Sequence, residues 1–153
     1  MKPNTIIRLT REFDFEMAHA LENYDGACRH IHGHSYRMFI TVSGVPLESE
    51  SDPKEGMVMD FGELKGLVNR LVVDRFDHTL LLRDNPENQL LSQQMRSKWG
   101  RIELTHYQPT CENLLIFIVE QLNDQLPAGV SLCEVKLYET ARSYAQWKRE
   151  DNN

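Results

Sequence analysis

The tripeptide His32-Gly33-His34 sets two imidazoles two residues apart. In a β-strand that spacing points both rings to one face, about 6–7 Å apart along the chain. Two ring nitrogens so placed can meet one metal ion at about 2.0–2.1 Å each. Gly33 between them has no side chain, so a ligand or a neighbouring strand can approach closely. His19 stands upstream at the end of another alternating stretch, where antiparallel pairing would bring it beside the pair. Three neutral imidazoles suit zinc, and three protein ligands leave a position for water or substrate. A lone histidine on an apolar face is more often a hydrogen-bonded core residue, but an H-x-H pair with a third histidine on the adjacent strand favours a metal. His30 falls in the intervening loop and is left out of the set.

Cys28 precedes His32 by four residues, in a polar loop with Arg29 and His30. It can be read as a small buried filler. Nearby cations and a metal would instead lower a thiol pKa from about 8.5 toward neutrality, making it a base or nucleophile. As a fourth ligand it would close the site and make it structural. Asp77-His78 sets a carboxylate beside an imidazole, the pattern of an acid/base relay, although one such dipeptide is often an exposed turn. Glu112 falls in the first turn of a helix, where the dipole favours an anion. Glu139 ends a strand on its apolar face, where an unpaired carboxylate is costly. Either an arginine such as Arg142 satisfies it, or it awaits a ligand carrying N–H donors.

The elements that must position these groups follow from periodicity. Over residues 5–19, Ile7, Leu9, Phe13, Phe15, Met17 and His19 share one face of a strand; over 32–43, His32, His34, Tyr36, Met38, Ile40 and Val42 do the same. Their short connection predicts an antiparallel pair. Asp60 can cap a helix, with Glu63 three residues on as in a capping box. Phe61, Leu64, Leu67, Val68, Leu71 and Val72 then recur at helical spacing. A second helix starts near Thr110 after Pro109, with Leu114, Leu115, Ile118, Val119 and Leu122 inward, and is closed by Pro127 and Gly129. Cys133, Val135, Leu137 and Glu139 share one face of a third strand, and Tyr144–Lys148 forms a fourth. The order ββααββ predicts an α+β sandwich, an antiparallel sheet with both helices on one face. Between the helices, Glu87–Lys98 reads as an extra helix and Arg101–Leu104 as a short extended piece.

The 153 residues fit a single domain, and 41% hydrophobic content suffices for a core. No stretch is apolar enough to span a membrane, and the charged N-terminal MKPNTIIRLTREFDF argues against export. Three cysteines, Cys28, Cys111 and Cys133, form no C-x-x-C pair, so a reducing, cytoplasmic compartment is expected rather than a disulfide framework. A net charge of −6 without a basic run disfavours nucleic acid but leaves an anionic small molecule open.

Six motifs follow one another along the chain: F-x-x-A-H at Phe15–His19, C-x-x-x-H-G-H-x-Y at Cys28–Tyr36, G-x-V-x-D-F at Gly56–Phe61, D-H-x-x-L at Asp77–Leu81, P-T-x-E-N at Pro109–Asn113 and E-T at Glu139–Thr140. Together they resemble the 6-pyruvoyltetrahydropterin synthase family. The short C-x-x-x-H spacing is similar to its bacterial 6-carboxytetrahydropterin synthase branch, which serves queuosine synthesis. The resemblance implies the tunnelling fold, a homohexamer with active sites at subunit interfaces, and zinc bound by His19, His32 and His34. It implies Cys28 as the proton-abstracting base, Asp77 and His78 contributed from a neighbouring subunit, Glu139 as the anchor of the pterin ring, and Glu112 supporting the same pocket.

The implied reaction converts 7,8-dihydroneopterin triphosphate to 6-carboxytetrahydropterin with release of acetaldehyde and triphosphate. Basic loop residues such as Arg29 and Lys54 are candidates to hold the triphosphate, though no motif assigns them. Two alternatives stand beside this reading: pyruvoyl-type elimination on the same fold, and a non-catalytic zinc module closed by Cys28. About thirty residues separate His78 from Pro109, more than in compact members, so residues 84–108 are read as an insertion in a single 1–153 domain.

Overall fold

The computed structural model describes residues 4–152; Met1–Pro3, which open the charged N-terminal stretch, and Asn153 lie outside the described residues. Strands β1 (Ile7–His19) and β2 (His32–Gly44) pair antiparallel along their whole length, with Phe13 opposite Met38, Phe15 opposite Tyr36 and His19 opposite His32. Alternation puts Phe13, Phe15, Met17, Tyr36, Met38, Ile40 and Val42 on one buried face. Phe15 and Tyr36 stack with ring centroids 5.1 Å apart. Burying two such aromatics removes about 150–250 Å² each from water, several kcal/mol at about 25 cal/mol per Å². That packing makes a rigid floor directly beneath the histidine end of the hairpin.

Helix α1 (Phe61–Val68) starts where expected, because Asp60 accepts from the backbone N–H groups of Gly62 and Glu63 at 2.6 and 3.1 Å. It runs on through a π turn (Asn69–Val73) into a last turn (Asp74–Phe76). The wider turn keeps Leu64, Val68, Val72 and Phe76, each four residues apart, all in the core. Helix α2 (Pro86–Trp99) and strand β4 (Ile102–Thr105) fill the segment between the two main helices. Helix α3 (Cys111–Asn123), capped by Thr110, buries Leu114, Leu115, Ile118, Val119 and Leu122. Strands β5 (Ser131–Thr140) and β6 (Ser143–Lys148) complete the sheet.

The α+β class and the ββααββ frame are those expected, with α1 and α3 sharing one core against the sheet. The sheet itself is larger and mixed. Strand β3 (Thr79–Arg83) pairs parallel with β1, and β4 pairs parallel with β3, giving the order β4-β3-β1-β2-β5-β6. β5 departs from simple alternation at one point. A bulge between Thr41 and Val42 of β2 puts Leu132, not Cys133, in the buried row, and Cys133 Sγ instead donates to Ser43 Oγ at 2.8 Å. Among the described residues no helix is long and apolar enough to cross a membrane.

Candidate metal centre

The antiparallel register carries His19 directly across from His32, and strand parity places His34 two residues further along the same face. One nitrogen of each of the three rings lies within 4.8 Å of the others. His19 is 1% exposed, and its Nδ1 donates to the Pro109 carbonyl at 2.7 Å. His32 Nδ1 donates to the His30 carbonyl at 2.8 Å. A carbonyl only accepts, so both Nδ1 atoms carry the proton and both Nε2 atoms present a lone pair. Those two Nε2 atoms face each other at 3.1 Å. Two acceptors cannot bond to each other, and a cation between them would satisfy both. Tetrahedral zinc with bonds of about 2.0–2.1 Å sets its ligand nitrogens about 3.3 Å apart. His34 Nε2 is buried without a hydrogen-bond partner among the described residues, an orphaned ring nitrogen on the same spot. A metal-bound histidine whose other nitrogen is fixed by a backbone carbonyl is the usual outer-shell arrangement.

Burial outweighs the attraction of Glu139 and holds the His19 and His34 imidazoles below their ordinary pKa range. Both rings are therefore neutral at neutral pH, the form that can coordinate a metal. The residues present fit a three-histidine metal ion.

Glu139 reaches this cluster from the end of β5. Its Oε1 lies 3.7 Å from His19 Nε2, 3.9 Å from His34 Nε2 and 3.4 Å from the Tyr36 hydroxyl, which donates to it. Burial, followed by this carboxylate, pushes the Tyr36 phenol far above its usual value, so the hydroxyl keeps its proton. None of these is a tight ionic partner. Arg142, the arginine available to it in sequence, is exposed and uses its backbone N–H on Thr140 Oγ1 at 3.2 Å. Among the described residues no ion pair joins Arg142 to Glu139.

Cys28 sits half-buried in a short 3₁₀ turn (Ala27–Arg29) between the two histidine-bearing strands, and its carbonyl accepts from the Leu21 backbone N–H at 2.9 Å. The histidine cluster does not include its thiol. Burial pushes the Cys111 thiol up to about 11, which removes it as a nucleophile at neutral pH.

Asp77 and His78 follow the last turn of α1. Their side chains pair at 3.0 Å, and the corner is locked onto β1: Glu16 donates its N–H to Asp77 Oδ1 at 2.9 Å, and His78 donates its N–H to the Glu16 carbonyl at 2.7 Å. The bond from Glu16, with His78 and Arg101 nearby, holds the Asp77 carboxyl below its usual range. His78 has φ +56°, a left-handed conformation uncommon for a residue with a Cβ. It opens into a cleft of about 420 Å³ lined also by Glu16, Ala18, Ser35, Leu80 and Trp99. Glu16, Ala18 and Ser35 alternate with the core-facing residues, so His78 opens onto the outer face of the sheet, in a cleft that also touches His34.

Glu112 is exposed in the first turn of α3, three residues from the carbonyl that holds His19. Lys54 is exposed in the loop before α1 and paired with Glu63. Arg29 is exposed beside His30. Three contributors escape a reading of side-chain types: the carbonyls of Pro109 and His30, and the Tyr36 hydroxyl. Backbone acceptors leave no compositional trace, although the P-T-x-E-N motif marks the loop. There Thr110 caps α3 and Asn113 Nδ2 donates to the Gln108 carbonyl at 3.0 Å, which fixes Pro109.

Three buried or half-buried imidazoles around one point, backed by a carboxylate, form a cluster compatible with a metal ion at one end of an α+β sheet. The family model for 6-pyruvoyl tetrahydropterin synthase matches residues 8–150, so the chain belongs to that family, and it is an enzyme. The 6-carboxy-5,6,7,8-tetrahydropterin synthase of Haemophilus influenzae is 30% identical over 147 residues, which cover 94% of this chain and 99% of that protein. Among solved structures, WS1659 from Wolinella succinogenes shares the fold with a TM-score of 0.77 at 21% identity, covering 95% of this chain and 99% of that one. The 6-pyruvoyl tetrahydropterin synthase of Caenorhabditis elegans matches with a TM-score of 0.65 at 26% identity, covering 97% and 99%.

Proposed function

We propose that the chain is a zinc-dependent lyase that converts 7,8-dihydroneopterin triphosphate to 6-carboxy-5,6,7,8-tetrahydropterin, releasing acetaldehyde and triphosphate, in the cytoplasmic route to queuosine. The observation that carries this reading is Glu139, an acceptor held 3.7 Å from His19 and 3.9 Å from His34 without a tight cationic partner. A pterin offers what such a carboxylate lacks, two adjacent N–H donors on its aminopyrimidinone edge, in a charge-assisted two-bond contact. The likeness to the Haemophilus influenzae enzyme supports the carboxy branch.

His19, His32 and His34 hold the zinc. When bound, the ion supplies Lewis-acid stabilisation of negative charge developing on a substrate oxygen. Cys28 takes a carbon-bound proton from the substrate side chain as general base. Asp77 orients and charge-stabilises His78, which exchanges protons with the same side chain. Because His78 opens onto the outer face of the sheet, the dyad serves the centre of a neighbouring chain, and the enzyme works as a homohexamer with sites at subunit interfaces. Glu112 supports the pterin pocket from the start of α3.

The absence of the Cys28 thiol from the histidine cluster weighs against a closed, purely structural zinc module. Pyruvoyl-type elimination is the second reading, favoured by the likeness to the Caenorhabditis elegans enzyme. Either branch requires the pterin anchor. Glu139→Gln keeps the shape but puts an NH₂ where an acceptor oxygen stood. Calorimetric titration with neopterin, which lacks the triphosphate, should show affinity falling about 10- to 100-fold with zinc content unchanged. An unchanged dissociation constant would remove the reason to place a pterin here.

A further inference from the structure

Residues 84–108 are tied to the catalytic loops through one carboxylate. Glu22 is half-buried, three residues past His19, on the loop that leads to Cys28. Its Oε1 accepts from Asn88 Nδ2 at 2.8 Å and from Asn85 Nδ2 in a shorter contact. Asn85 is the N-cap of α2, its own Oδ1 accepting from the Asn88 backbone N–H at 2.7 Å, so Glu22 grips the start of that helix. The helix is fourteen residues long, and its positive end favours an anion there. On the other side, Gln108 Nε2 donates to the Glu22 carbonyl at 2.8 Å.

These contacts lead to the metal centre by two short routes. Leu21, the residue before Glu22, donates its N–H to the Cys28 carbonyl at 2.9 Å. Gln108 precedes Pro109, whose carbonyl fixes His19 at 2.7 Å, and its own carbonyl is held by Asn113. Besides the bond from His32 Nδ1 to the His30 carbonyl at 2.8 Å, loop 20–31 has few ties to order it. Tyr24, Asp25, Ala27, Arg29 and His30 are all exposed, and the internal bonds of the 3₁₀ turn at 3.1 and 3.3 Å hold it only to itself.

We infer that Glu22 is a positioning residue, and that segment 84–108 braces the Cys28 loop and the Pro109 loop against the metal centre through it. The inference rests on the reading of Cys28 as the base. Glu22 touches no substrate; it acts by setting where the thiol stands, and a misplacement of about 1 Å in such a group costs about 10²-fold.

The test is steady-state kinetics of zinc-loaded protein together with the alkylation rate of each cysteine by iodoacetamide. Glu22→Ala should lower kcat about 10- to 100-fold with KM changed less, and raise alkylation at Cys28 several-fold while Cys111 and Cys133 stay as in the wild type. Glu22→Gln keeps an acceptor oxygen for both amides and should restore kcat to within about threefold. Should Glu22→Ala not fold, Asn88→Asp perturbs the same contact: an acid suits the first turn of α2 but repels Glu22, and it also gives up the bond from Asn88 Nδ2 to the Arg83 carbonyl at 2.8 Å. It should reproduce the kcat loss and the faster Cys28 alkylation. A lower melting temperature with kcat and Cys28 alkylation unchanged would make Glu22 an ordinary stabilising contact and overturn the inference. If Cys28→Ala itself retains turnover, the reading of Cys28 fails instead, whatever Glu22 does.

Discussion

His34→Ala and His32→Ala should each yield protein without stoichiometric zinc and without turnover. The cluster supplies three ring nitrogens within 4.8 Å of one another, and either change leaves two. Loss of an outer-shell partner alone costs about 10- to 100-fold in metal affinity, so loss of a ligand costs more. The fold should survive in both, because His32 and His34 are only partly buried at the end of the hairpin. His19→Ala differs. That ring is 1% exposed and bonded to Pro109, so its removal leaves a cavity, frees a buried carbonyl and lowers stability as well. Metal analysis of the purified variants reads the outcome. Full zinc occupancy in both His32→Ala and His34→Ala would remove the metal centre from the account.

Cys28→Ala should keep its zinc and still bind pterin while losing turnover by about 10²-fold or more, the scale of general-base catalysis. The thiol stands outside the imidazole cluster, so its removal takes away no ligand. The comparison with the other two cysteines sharpens the test. Cys111 is held protonated by burial, and Cys133 is a bulge residue bonded to Ser43, so alanine at either position should change kcat only mildly. Zinc loss in Cys28→Ala would instead identify Cys28 as a fourth ligand and the site as structural. Turnover retained in that variant would assign the proton transfer to another group.

The histidine constellation was legible because period-two alternation is a strong signal. Phe13, Phe15, Met17 and His19 announce one face of β1, and the short link to His32 forces antiparallel pairing. Both main helices were legible for the same kind of reason, through Asp60 as a cap, Pro109 ahead of the second start, and apolar residues at helical spacing. Strand β3 was not. Thr79–Arg83 offers only three leucines in a row between a threonine and an arginine, with no alternation, and its parallel pairing with β1 depends on a crossover through the whole of α1. Nor can a sequence show that His78, which lines the outer cleft, takes a left-handed backbone. Cys133 was displaced from the inner row by a bulge, which shifts parity without changing composition. The second layer around the imidazoles is main-chain carbonyl, which no side-chain pattern announces.

The most direct measurement is product identification. Zinc-loaded protein incubated with 7,8-dihydroneopterin triphosphate, with the mixture analysed by mass spectrometry, should give 6-carboxytetrahydropterin with equimolar acetaldehyde and triphosphate. A three-carbon side chain retained on the pterin would contradict the carboxy assignment, and unreacted substrate would contradict the account as a whole.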